Sequence, residues 1–331
     1  MTNRDPASGV DGLRRTLLGA IAALPLVARA AAPARVAWLA PGTVEKQGHY
    51  VEAFRQGMRE NGLVEGRDYL LDVQYAEGHY ERFPTMIEAA LKQAPTVIIG
   101  VTVPSIRAAQ KATRTIPIVF ISTTDPVGSG LIAGLAHPGG NTTGVSNQAE
   151  DSVTKYIDLL REALPQATRV AVLINAANSA NQKSFERVRD FARGLGIAAE
   201  PFGASTPDEL PATFRTIAQY RPDALLMIAD SMLFDAHERI VAFALQERIA
   251  TIAPTPEHGA SGMLLAYGAS RPEMYRRAAT YVRKILAGAK PADLPVEQPT
   301  RFELVVNQKT ARALGVQIPR SVLLRADQVI D

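Results

Sequence analysis

From Arg35 to its end the chain repeats one unit, a short β-rich apolar run followed by a stretch with helical spacing. ARVAWLA (Ala34–Ala40), YLLDVQYA (Tyr69–Ala76), TVIIGV (Thr96–Val101) and IPIVFIS (Ile116–Ser122) read as strands, and Phe54 and Met58, four apart, mark a helix between the first two. Apolar runs without polar alternation describe strands covered on both faces, which predicts a parallel sheet flanked by helices. The rhythm stops at DPVGSGLIAGLAHPGGNTTGVSN (Asp125 to Asn147) and resumes through RVAVLIN (Arg169–Asn175), ALLMIA (Ala224–Ala229) and GMLLAYG (Gly262–Gly268). The predicted class is therefore α/β, with two doubly wound (Rossmann-like) parallel-sheet lobes. A ligand is expected in the cleft between them, at the carboxyl ends of the strands. The helical stretch Arg271–Leu286 and the strand FELVVN (Phe302–Asn307) imply that the chain crosses near Val145, Tyr267 and Phe302, a three-segment hinge. The expected boundaries are 35–146 plus 269–298 for the first lobe and 147–268 plus 299–331 for the second.

The first residues predict export. Arg14 and Arg15 precede an apolar run from Leu17 to Val27, and Ala28-Arg29-Ala30 has the small residues a signal peptidase reads. That run is too short to cross a bilayer, which takes about 20 residues. Residues 1–30 are thus read as a cleavable signal peptide, with the general and twin-arginine routes both open. Of the 331 residues none is cysteine. Disulfides, thiolate nucleophiles and cysteine metal sites are excluded, and so is a lipid anchor on cysteine. The expected location is the periplasm, as a soluble protein. The formal net charge of +3 includes four arginines and two aspartates of the signal, which leaves a nearly neutral body. Such a body has no basic face for nucleic acid.

Four phrases narrow the reading: VEGRDYLLDVQYAEGHYERFP, IPIVFISTTDPVGSGLIAGLAHPGGNTTGVSN, YRRAATYVRKILAGAKPADLPVEQPTRFELVVN and IPRSVLLRADQVI. In this order, from about Arg35 to Ile330, the chain closely resembles the ABC transporter substrate-binding proteins of the tryptophan/tyrosine-binding (TrpX-like) family. The resemblance implies a type I periplasmic-binding-protein fold and a receptor, acting as a monomer, that delivers a small ligand to an ABC permease in the inner membrane. The ligand class it implies is broad, an amino acid, an aromatic compound or an organic acid, and it is the helix N-terminus after Val101 that favours a carboxylate-bearing one. A receptor that presents its ligand to a membrane sensor and a secreted Rossmann-type enzyme are the alternatives.

Candidate ligand residues follow from the strand ends. In VTVPSIRAA (Val101–Ala109) a helix N-terminus follows a strand, so Thr102 and Ser105 offer hydroxyls beside free backbone N–H groups, either to an anion or as caps. The family commonly shows a Gly-Thr-Pro-Ala-like pattern here, and Val103 stands where its threonine often does. Gly42, Thr43 and Gln47 follow the first strand, and Thr123 and Asp125 follow the fourth, where Asp125-Pro126 is also an ordinary turn starter. From the second lobe come Asn175, Asp230, Glu257 and, at a crossing, Tyr267. Trp38, the lone tryptophan, is expected in the core. The five histidines form no close metal-binding pair, and no HExxH, P-loop or G-x-S-x-G elbow occurs. No catalysis, metal or cofactor is expected.

Overall fold

The computed structural model describes residues 32–147 and 149–331. The predicted signal peptide lies outside the described residues. The first lobe alternates β1 (Ala34–Ala40), α1 (Val44–Glu60), β2 (Tyr69–Tyr75), α2 (Phe83–Leu91), β3 (Val97–Gly100), α3 (Val103–Ala112) and β4 (Ile118–Thr123), and ends on β5 (Thr142–Ser146). Its strands are all parallel, in the order β2-β1-β3-β4-β5. β3 and β4 are buried along their whole length, as strands covered on both faces must be. Strand order reverses beside β1, so the β1 and β3 loops diverge to opposite sides of the sheet and leave a crevice at its carboxyl edge.

The second lobe runs through α4 (Ala149–Ala163), β6 (Arg169–Asn175), α5 (Ser179–Gly194), β7 (Ala198–Ala204), α6 (Leu210–Tyr220), β8 (Ala224–Met227), α7 (Ser231–Asp235), α8 (His237–Gln246), β9 (Ala250–Ala253), α9 (Glu257–Ala260) and β10 (Leu265–Gly268). The chain then forms α10 (Arg271–Leu286) on the first lobe and returns as β11 (Glu303–Asn307), α11 (Gln308–Leu314), α12 (Arg320–Leu323) and β12 (Gln328–Ile330). The seven strands are ordered β12-β11-β10-β9-β8-β6-β7. One pair departs from the parallel expectation: β10 and β11 run antiparallel. The excursion explains it, because a chain that leaves at the cleft end of β10 and comes back to the same end must run the other way. Returning, it pairs Glu297 with Val145 beside β5.

α10 is held to α1 by close helix contact. A Cβ on Gly57 would stand 2.1 Å from the Arg276 carbonyl oxygen, so only glycine allows this approach. Beneath the pair, Trp38 packs edge-on to Phe54 (centroids 5.3 Å apart) and stacks on Tyr275 (5.7 Å), and all three are buried. Burying side chains of this size contributes about 1.5–3 kcal/mol each. Among the described residues no helix is long and apolar enough to cross a membrane.

Candidate ligand site

Loops from both lobes meet around a cavity lined by Thr102, Ser122, Thr124, Asn147, Asn178, Asp230, Ser231, Phe234 and Arg271, with Val101, Val103, Ala180 and Ala229 between them. Local structure presents each group. Thr102 is the N-cap of α3 and forms a reciprocal capping box with Ser105. Ser122 takes φ 54°, a left-handed conformation uncommon outside glycine, and the carbonyl it turns accepts from Asn147 Nδ2 at 2.9 Å. Asn178 and Asp230 are the N-caps of α5 and α7. Arg271 opens α10, at the crossing from the second lobe to the first.

Two opposite charges dominate the cavity. Arg271 is 1% exposed, and among the described residues no carboxylate lies within ion-pair distance of it. Its guanidinium is held instead by aromatic rings, with Cζ 4.2 Å from the centroid of Tyr50 and 4.4 Å from that of Phe234. It donates to Tyr50 Oη at 2.8 Å, to Tyr275 Oη at 3.3 Å and to Ser231 Oγ at 3.4 Å, while its Nε, also buried, has no hydrogen-bond partner among the described residues. Asp230, 4% exposed, likewise has no cation within ion-pair distance among the described residues. Neutral donors surround it: Asn175 Nδ2 (2.9 Å), the Met232 N–H (2.9 Å) and Tyr80 Oη (3.0 Å) on Oδ1, and Asn178 Nδ2 (2.8 Å) on Oδ2. Burial pushes the Asp230 pKa up, and the donors from Asn178, Asn175, Tyr80 and Met232 pull against it. A buried charge is costly without a counter-charge, and here two opposite ones line the same cavity.

Phe234 and the pair Ser122 and Asn147 also line an adjoining hollow with Tyr156, Met274, Phe302 and Thr255. Thr255 Oγ1 lies 2.6 Å from Nδ1 of His258, whose burial lowers its pKa to about 3 and keeps the ring neutral. The lobes are drawn together: free space is about 20 Å³ in the charged cavity and about 10 Å³ in the hollow, near the volume one water needs. Direct contacts bridge the lobes. Tyr80 Oη reaches Asp230 from the first lobe, Lys46 pairs with Glu238 at 2.7 Å, Arg187 with Asp125 at 3.2 Å, and Lys183 Nζ donates to the Gly128 carbonyl.

Of the residues expected from the sequence, Thr102 and Asp230 line the cavity. Asn175 stands behind it as a donor to Asp230. The Ser105 hydroxyl is engaged within the cap, donating to the Thr102 carbonyl at 2.8 Å and accepting from the Val101 and Thr102 N–H groups. Thr123 donates to the Val101 carbonyl. Gly42 and Gln47 face Asp235 across the cleft, and Thr43 caps α1. Asp125 holds a turn through the Gly128 N–H and meets Arg187. Glu257 Oε1 accepts from the Arg271 backbone N–H, and Tyr267 stacks on Phe302 at the crossing. Arg271, Asn147, Asn178 and Phe234 were absent from that set. The α10 N-terminus beside the second crossing is the signal that could have found Arg271.

The family model described as ABC transporter substrate binding protein matches residues 43–330. The chain belongs to this family. Among relatives, a tyrosine-binding protein of Clostridioides difficile (strain R20291) is 24% identical over 266 residues, which cover 80% of this chain and 76% of that one. A crystal structure described as a conserved domain protein from Vibrio cholerae O1 biovar El Tor is 27% identical, with a TM-score of 0.84 over 90% of this chain and 100% of that one. The structure of an ABC domain in complex with L-Trp from Streptococcus pneumoniae is 24% identical, with a TM-score of 0.81 and the same coverage. The fold of this substrate-binding protein is that of two parallel-sheet α/β lobes, like these neighbours.

Proposed function

We propose that this substrate-binding protein captures a zwitterionic amino acid with an apolar, aromatic side chain and delivers it to an ABC importer from the periplasm. One observation carries the reading: Arg271 and Asp230, both buried and neither ion-paired among the described residues, face one cavity. The free Arg271 Nε and its neighbouring N–H groups suit an α-carboxylate, while the Asp230 carboxylate suits an α-ammonium. Charge-assisted bonds of this kind are worth about 1.5–3 kcal/mol each. Thr102, Ser122, Thr124 and Asn178 supply neutral donors and acceptors around that head group. The hollow beyond Phe234, walled by Tyr156, Met274 and Phe302, receives the side chain once the lobes part. The printed names of the relatives, a tyrosine-binding protein and a complex with L-Trp, support the aromatic choice. Chemistry on the ligand has no place in this reading; the work is closure around it, driven by the ligand's higher affinity for the closed form.

Native mass spectrometry of protein purified from the periplasm of its own host tests the reading, since tight receptors retain their solute. An aromatic amino acid released on denaturation is the expected result. A retained sugar, or an acid without an amine, would contradict it.

A further inference from the structure

The lobes also meet beside a second cavity, lined by Lys46, His49 and Tyr50 of α1 and by Phe234, Asp235, His237, Glu257 and His258 of the second lobe. Here the Asp235 carboxylate rests on the backbone of Gly42: a Cβ at residue 42 would fall 1.6 Å from its Oδ2. Gln47 Nε2 donates to both carboxylate oxygens, at 2.7 and 2.9 Å. Closing therefore takes a carboxylate from the second lobe and seats it, partly buried, on the turn between β1 and α1 of the first. No cation is within ion-pair distance of it among the described residues. We propose that Asp235 is a proton-linked latch: the closed form takes up a proton there that the open form does not hold, so that closure of the ligand-free lobes is favoured as pH falls. The inference goes beyond the proposed amino-acid binding and does not depend on which ligand is bound.

The surroundings fix the sign. Burial is the largest influence on Asp235 and raises its pKa to about 7; Arg271 of α10, Gln47 and Lys46 of α1 pull it down, and Asp230 pushes it up. Glu238 is committed to Lys46. His237, His49, Tyr50, Glu257 and His258 complete the titratable groups around the seat. Opening returns the carboxylate to water, where about 3.9 is usual. A pKa higher in the closed form means that the closed form gains an increment fully present below the open-form value and lost as pH rises through about 7. The ratio of closed to open protein should then rise about tenfold between about pH 8 and about pH 6.

The chain has no cysteine, so Glu88→Cys and Arg215→Cys place two spin labels cleanly. Both positions are exposed, one on α2 of the first lobe and one on α6 of the second. Pulsed electron resonance on the ligand-free protein then reads the lobe separation directly. The short-distance population should grow about tenfold relative to the long one from about pH 8 to about pH 6. Adding Asp235→Asn, equal in size and without a proton to take, should leave the ratio flat across that range. Gly42→Ala fills the seat and should keep the lobes apart at both values. A parent protein whose distances do not respond to pH would overturn the latch. So would a pH response kept in Asp235→Asn, which assigns it to a neighbouring histidine, or a Gly42→Ala variant that closes as readily as the parent.

Discussion

Arg271 is the residue on which the site turns, and it is poorly placed for stability. Its guanidinium is buried among ring faces and hydroxyls with no carboxylate in ion-pair contact among the described residues, and replacing a buried charge by an apolar group of like volume is often neutral or stabilising. Arg271→Met keeps the volume and removes the charge. It is expected to leave the melting temperature unchanged or raise it by a few degrees, while affinity for an amino acid falls by one to two powers of ten, the worth of about 1.5–3 kcal/mol. A melting temperature lowered by ten degrees or more would make Arg271 a structural residue instead. Thr102 and Asp230 were legible in the sequence because strand ends and N-caps announce themselves in short motifs. Arg271 was not, because its burial depends on Tyr50, 221 residues away. An arginine in the first turn of a long helix reads as solvated until that partner is known. His258 makes a separate prediction. With its pKa lowered to about 3 by burial, the stability it contributes is present above the unfolded value of about 6.5 and is lost as pH falls below that, at about 1.4 kcal/mol per pH unit. Urea unfolding at about pH 7 and about pH 5 should show this loss in the parent and not in His258→Gln.

At the level of elements, α1 and α10 decide whether the first lobe presents its half of the cavity correctly. Replacing a glycine inside a helix by alanine usually stabilises by about 1 kcal/mol. At Gly57 the added Cβ meets the backbone oxygen of Arg276, so Gly57→Ala is expected to destabilise by about 1–3 kcal/mol, the usual cost of overpacking. A gain in urea midpoint would show that the two helices are free to shift. The strands β1, β3, β4, β6 and β8 were evident as apolar runs. β5 was not, because Thr142–Ser146 lies within a Gly- and Pro-rich segment and is a strand by pairing with β4 rather than by composition. The antiparallel turn of β11 was equally hidden, since direction depends on the path of α10 and not on the residues of the strand. Helix caps behaved as their chemistry dictates: the Ser105 hydroxyl is taken up by the α3 cap, and Ser105→Ala is expected to lower stability by about 1 kcal/mol.

For the whole molecule, the sequence showed two lobes and their crossings, because alternation and chain breaks are local signals. How far the lobes close, and which side chains then meet, is set by pairs such as Tyr80 with Asp230 and Gln47 with Asp235, each separated by 150 residues or more. The proposed function requires that closure bring one cation and one anion, neither ion-paired among the described residues, to the same ligand. Calorimetric titration with L-tryptophan, its carboxamide and its deaminated acid tests it directly. L-tryptophan should bind, and each analogue, lacking one charge, should bind about ten- to a hundredfold more weakly. The carboxamide should lose nothing further in Arg271→Met, and the deaminated acid nothing further in Asp230→Asn. Equal affinity for all three compounds, or a full additional loss in those variants, would contradict the claim.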